Sequence, residues 1–193
     1  MHFFSHVMSF PHYKKSILQR TDNSNKGSID KPIIPLVNKT NSQQHYCTTS
    51  SCSGRTVLFE AKSHKKNEFK TLFASHSKVS FTKLKKALQT IDKSTIWFRF
   101  EPIIIHIACD SLDSATTLLN LARQHFKHSG ILSINSRTNR YVLEIRGSEF
   151  IEAPVAVSGK IVVSDDVLRL LCTTANEKLT ETHRRMNAFK DAL

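Results

Sequence analysis

A chain of 193 residues that is 39% hydrophobic has the length for one large domain or two tightly fused small ones. Its apolar content suffices for a sizeable core, which excludes a wholly disordered chain, and no apolar run is long enough to span a bilayer. Lysine and arginine number 28 against 16 acids, a net charge of +12, and this excess points to a polyanionic partner, with RNA or DNA ahead of an acidic membrane surface.

Residues 1–12 carry no acid and no long apolar core, and are expected as a ragged extension of a single domain over 13–193. His12 to Arg20 is expected as a short basic helix, followed by a polar run in which Gly27 marks a turn. Pro32 and Pro35 frame a second short helix, because proline is tolerated in a first helical turn. Tyr46 to Ser50 is expected as a strand that leads into a turn over Ser50 to Arg55. Strands at Thr56 to Ala61 and Thr71 to Ser77 are expected to pair across the lysine-rich loop 62–70.

Phe81, Leu84, Leu88 and Ile91 recur at spacings of three and four and predict an amphipathic helix over 80–92. Ile96 to Cys109 is rich in aromatics and isoleucine and is expected as one long central strand, buried on both faces. A helix with the stripe Leu112, Ala115, Leu119, Ala122 and Phe126 follows, capped by Asp110 or Ser111 and terminated by Gly130. Strands are expected at 131–135, 140–146 and about 150–157. Ser164 then caps a helix of about 30 residues, its inner stripe running through Leu168, Leu171, Ala175, Leu179, Met186 and Phe189. Irregular alternation of helices with hairpin-linked strands argues for an α+β fold with a mixed sheet and a long C-terminal helix, not a doubly wound parallel sheet.

The stretch Thr48 to Thr56, TTSSCSGRT, crowds hydroxyls around a cysteine, a glycine and an arginine. Cys52 and Arg55 stand too close together for a phosphatase-type cysteine loop, and neither a P-loop nor a G-x-G-x-x-G turn is present. Two readings stand. In one, the N–H groups of Ser51 to Gly54 form an anion nest and Arg55 clamps a carboxylate or phosphate; in the other, the hydroxyls bond their own backbone in a structural turn. His106, on a strand face near Glu101 and Pro102, and His76, at a strand end, are each either satisfied structural histidines or chemical groups. Ser129 and Gly130 either end a helix or bring backbone to a ligand. The four cysteines form no C-x-x-C pair and no zinc-ribbon spacing, so reduced thiols and no metal are expected. Nine lysines lie between Lys62 and Lys93 against Glu68 and Asp92, either a nucleic-acid footprint or a solvated face.

The runs SNKGSID (Ser24 to Asp30), TTSSCSGR, FEPIIIHI (Phe100 to Ile107), HSGI (His128 to Ile131) and EAPV (Glu152 to Val155) occur in an order that resembles the tRNA wybutosine-synthesizing protein 3 family, from about Tyr13 to the C-terminus. The resemblance implies an S-adenosylmethionine-dependent methyltransferase of non-Rossmann fold, acting on N4 of the 4-demethylwyosine base in the anticodon loop of phenylalanine tRNA. It implies cofactor binding by Ser50, Ser51, Cys52, Ser53, Gly54, Arg55, Glu101, Ser129 and Gly130, and catalysis by His106, His76 and Asp30. Lys26, Lys65, Lys66, Lys70, Lys83 and Lys86 are expected on the tRNA. Thr71 stands where the family pattern carries tryptophan, and Lys31–Pro32 where it tends to carry acids. A cytoplasmic monomer without metal or membrane contact is expected; the rivals are a non-catalytic basic tRNA-binding module and a thiol enzyme using Cys52.

Overall fold

The computed structural model describes residues 8–19, 28–61, 69–89, 91 and 94–193. These form five α-helices and nine strands: α1 (Phe10–Leu18), a 3₁₀ turn (Lys31–Ile33), α2 (Ile34–Ser42), β1 (Tyr46–Cys52), β2 (Arg55–Ala61), β3 (Phe69–Ser75), α3 (Phe81–Leu88), β4 (Ile96–Glu101), β5 (Ile104–Cys109), α4 (Leu112–His125), β6 (Gly130–Asn135), β7 (Arg140–Arg146), β8 (Ile151–Val157), β9 (Lys160–Ile161) and α5 (Asp165–Ala192). The α+β class and the long final helix are as expected. The strands, however, divide between two sheets, ordered β1-β5-β7-β6 and β3-β2-β4-β8-β9, and every pairing is antiparallel.

The long strand expected over Ile96 to Cys109 is two strands in two different sheets. Pro102 is the cause: it has no N–H to give a ladder, so pairing stops at Glu101 and resumes at Ile104. The expected turn over Ser50 to Arg55 is also shorter. Ser50, Ser51 and Cys52 are strand residues paired with His106, Ile105 and Ile104, which leaves Ser53 and Gly54 as the turn, and Gly54 adopts a positive φ of 91° that glycine tolerates without strain. Gly130 does not terminate α4, which ends at His125; it opens β6 instead. The two-residue β9 has no counterpart in the sequence reading, being too short to show a period.

Two compact units result. The first comprises Met1–Cys52, Ile103–Ser148 and Arg185–Leu193, and the second Ser53–Pro102 and Glu149–Arg184. In the first, β5 and β7 turn Ile105, Ile107, Leu143 and Ile145 onto Leu36 and Val37 of α2, Ala115, Leu118 and Ala122 of α4, and Met186 and Phe189 of α5. Ser111 caps α4 through a capping box with Ser114, satisfying N–H groups that the first turn leaves unpaired. In the second unit, Leu58, Ile96, Phe98, Phe100 and Val155 bury against Leu84 and Leu88 of α3 and Leu168, Cys172, Ala175 and Leu179 of α5. Each large side chain so buried contributes about 1.5–3 kcal/mol of transfer free energy. Among the described residues, no helix is long and apolar enough to cross a membrane.

Candidate active site

In the second unit the strict alternation of β4 sends Phe98 and Phe100 into the core and Trp97, Arg99 and Glu101 to the opposite face. Arg55 is directly opposite Glu101 across β2 and β4, and its Nε donates to Glu101 Oε2 at 2.6 Å. Arg99 Nη1 donates to the other oxygen of Glu101 at 3.4 Å, while its Nε donates to Glu152, its partner on β8. The Arg99 guanidinium also lies 4.2 Å over the Phe59 ring. The result is a row of alternating charge, Arg55, Glu101, Arg99 and Glu152, which the sequence reading found only at its first two members. The period-two pattern of WFRFE was the signal for Arg99.

The Ser53–Gly54 turn is held by its carbonyls. His76 Nδ1 lies 3.2 Å from Gly54 O, and a carbonyl only accepts, so Nδ1 carries the proton and Nε2 the lone pair in the neutral ring. His183 of α5 donates to the backbone of Ser53; burial holds its pKa below the ordinary imidazole value, and the Ser53 interaction opposes that shift. His183 Nε2 is buried with no hydrogen-bond partner among the described residues. His183 escaped the sequence reading because, four residues after Leu179, it passes for part of the apolar stripe.

In the first unit, Ser50, His106 and Glu144 occupy one register row across β1, β5 and β7. Ser50 Oγ lies 2.9 Å from His106 Nδ1, and His106 Nε2 lies 3.0 Å from Glu144 Oε2. His106 is half-buried, not enclosed as the sequence suggested: Ile105 and Ile107 take a fully buried face of the strand, whereas on the other face Ile104 and His106 keep partial exposure and Ala108 beyond them is buried. Glu144 was missed, although a lone acid between Leu143 and Ile145 marks an outward position in a strand. Asp30 is buried just ahead of the 3₁₀ turn and accepts Ile33 N–H through its carbonyl. Ser129 serves the end of α4: its hydroxyl donates to Phe126 O at 2.7 Å, and its carbonyl accepts from Arg123 Nε. Gly130 pairs with Glu144, and a Cβ placed on it would meet nothing within 4 Å.

Of the expected tRNA lysines, Lys70 lies exposed on β3, and Lys83 and Lys86 lie exposed on α3. Lys26, Lys65 and Lys66 lie outside the described residues, as does most of the loop 62–70. All four cysteines are thiols, with Cys52 half-buried and the other three buried.

The family model described as Methyltransferase TYW3 matches residues 12–193. The tRNA wybutosine-synthesizing protein 3 homolog of Danio rerio is 32% identical over 191 residues, covering 96% of this chain and 74% of the relative. The Pyrococcus abyssi protein named tRNA(Phe) 7-((3-amino-3-carboxypropyl)-4-demethylwyosine(37)-N(4))-methyltransferase 1 is 34% identical over 170 residues, covering 87% of each chain. Among solved structures, that of the PH1069 protein from Pyrococcus horikoshii matches with a TM-score of 0.87 at 30% identity, covering 95% of both chains. A family model spanning nearly the whole chain, with relatives above 30% identity on either side of the archaeal–eukaryotic divide, settles the grouping: this chain belongs to the Methyltransferase TYW3 family.

Proposed function

We propose that the chain is an S-adenosylmethionine-dependent N-methyltransferase that methylates N4 of the 4-demethylwyosine-type base at position 37 of phenylalanine tRNA, a step of wybutosine biosynthesis. The family match over residues 12–193, with relatives whose names specify that reaction, is the observation that carries it. Each compact unit is assembled from separate stretches of chain, which supports a single catalytic domain over 13–193 that cannot be cut into contiguous halves.

The donor set fits the cofactor. S-adenosylmethionine carries a carboxylate beside an ammonium, and Arg55 beside Glu101 offers the complementary guanidinium and carboxylate, fixed on neighbouring strands. When bound, the cofactor supplies an electrophilic methyl on a sulfonium. Arg55 would hold the carboxylate, Glu101 the ammonium or ribose, and the Ser53–Gly54 turn would set the backbone against the ligand. Glu101 suits the ammonium or ribose role because it shares one sheet face with Arg55. Methyl transfer from a sulfonium would be an in-line displacement, so positioning by these groups would supply much of the rate.

Position 37 lies in the single-stranded anticodon loop, so no duplex need be melted to reach it. Lys70, Lys83 and Lys86 contact stem phosphates, in keeping with the net charge of +12. The chain acts as a monomer on cytoplasmic tRNA and without a metal.

The test is methyl transfer from labelled S-adenosylmethionine to phenylalanine tRNA bearing the demethylated tricyclic base, with unmodified tRNA as control. Label on the modified tRNA alone is expected. Tight tRNA binding with no label on either substrate would favour a non-catalytic binding module.

A further inference from the structure

We infer that the outer face of β2, β4 and β8 beyond the Arg55–Glu101 pair is the adenosine subsite of the methyl donor; the inference rests on the cofactor reading proposed above. Arg99 stacks on the adenine beside Trp97, and Glu152 accepts from the ribose hydroxyls. All of these residues belong to the second compact unit.

The face changes character along its length. On β4, Glu101, Arg99 and Trp97 point outward in turn. Their direct partners are Arg55 for Glu101, Glu152 for Arg99, and both Phe59 and Pro154 for Trp97. One end therefore complements a zwitterion, the middle is polar, and the far end is flat and apolar. Glu101 and Trp97 stand four residues apart, about 14 Å along a strand. S-adenosylmethionine is polar in the same order, with an amino acid, then a ribose, then a purine, which leaves Glu101 for the ammonium.

Arg99 is held as a platform. Its guanidinium lies 4.2 Å over the Phe59 ring, which is only 5% exposed and so supports it from below, while the Arg99 side chain keeps 26% of its surface exposed. Its hydrogen bonds to Glu101 and Glu152 run in the guanidinium plane and fix its tilt. Phe150, a largely exposed ring, stands 5.9 Å from the same guanidinium. Guanidinium planes and aromatic rings are the surfaces on which nucleobases stack. Exposed cross-strand ion pairs contribute little to stability, so folding alone does not call for this arrangement. Two arginines and two glutamates leave the row without net charge in a chain of +12. A phosphate backbone gains little there, whereas the methyl donor carries a nucleoside without phosphate.

Two ligands test this: S-adenosylmethionine, and 5′-methylthioadenosine, which keeps the adenosine and lacks the amino acid. Binding is followed by calorimetry and by the emission of Trp97, the single tryptophan, with tRNA affinity measured in parallel by filter binding and folding checked by thermal melts. Both ligands are expected to change Trp97 emission in wild type. Arg99→Ala is expected to weaken both by about ten-fold or more, and Arg99→Lys, which keeps the charge and loses the plane, nearly as much. Glu152→Gln is expected to weaken both several-fold. Arg55→Ala is expected to weaken S-adenosylmethionine and leave 5′-methylthioadenosine unchanged. S-adenosylmethionine binding with no change in Trp97 emission, or wild-type affinity for both ligands in Arg99→Ala and Glu152→Gln, would overturn the subsite and leave the cofactor reading standing. Arg99 variants that lose tRNA affinity alone would overturn it in favour of an RNA surface. A wild-type chain that binds no S-adenosylmethionine would overturn the subsite and the cofactor reading together.

Discussion

Arg55 Nε sits 2.6 Å from Glu101 Oε2, each the direct cross-strand partner of the other on β2 and β4. The guanidinium is therefore pre-aimed by a carboxylate of the same protein, which lowers the ordering cost of binding a zwitterion. A charge-assisted hydrogen bond contributes about 1.5–3 kcal/mol, so Arg55→Ala is expected to weaken S-adenosylmethionine binding by roughly ten- to a hundred-fold. Isothermal titration calorimetry reads this directly, and wild-type affinity in the variant would remove Arg55 from the cofactor site.

The α3 lysines are not equivalent. Lys85 is engaged with Asp165 at 2.5 Å and stacks over Phe81, whereas Lys83 and Lys86 are exposed. Removing a cation that neutralises one phosphate flattens the salt dependence of binding by about 0.7–0.9 in log–log slope. Replacing Lys83 and Lys86 together by alanine is therefore expected to weaken tRNA binding and lower that slope by about 1.5–2, and Lys85→Ala to change it less. Filter binding across a salt series decides, and equal slopes for wild type and the double variant would place the tRNA elsewhere.

The aromatic pair inside the first unit sets a stability expectation. Phe126 and Phe189 are both buried and meet edge to face, with ring centroids 6.1 Å apart at 84°. Phe126→Ala removes a buried ring at the end of α4 and is expected to cost about 3–5 kcal/mol. A urea melt monitored by circular dichroism measures this; a destabilisation below about 1 kcal/mol would mean the site collapses to fill the space.

The burial of His183 sets the sign of an expected pH dependence of stability. Burial holds its native pKa below the ordinary value of about 6.5. Above that value the ring is neutral in both the folded and unfolded chains, and stability is full. As pH falls through the ordinary value, the unfolded chain binds a proton that the folded chain resists, and stability declines toward the lowered native pKa. Melting temperatures between about pH 7.5 and 5 are expected to fall more steeply for wild type than for His183→Gln, and parallel curves would show that His183 is not the titrating group.

Thiol chemistry separates the cysteines. Burial, followed by the neighbouring Asp110 charge, pushes Cys109 up to about 12, and burial also raises Cys47 and Cys172. A thiol reagent near pH 8 is expected to modify one site quickly, the half-buried Cys52, and to reach the other three only on unfolding. Cys52→Ser should abolish the fast phase and retain methyl transfer; loss of transfer would revive the thiol-enzyme reading.

Local pattern alone determined much of this protein. The apolar spacings of α3, α4 and α5 and the turn residues between β6, β7 and β8 encode elements whose formation depends on neighbours in sequence. The basic charge and the Ser50 to Arg55 run, followed by Glu101–Pro102 and His106, pointed to the family because residue type and order are legible without coordinates. Tertiary structure decided what those residues touch. A strand's period states which face a side chain takes but not which strand lies beside it, so Glu144 as partner of His106, and Arg99 linking Glu101 to Glu152, emerged only with the register. Pro102 was visible in the sequence, but that its missing N–H divides the chain between two sheets depends on pairings with β2 and β1, 40 and more residues away.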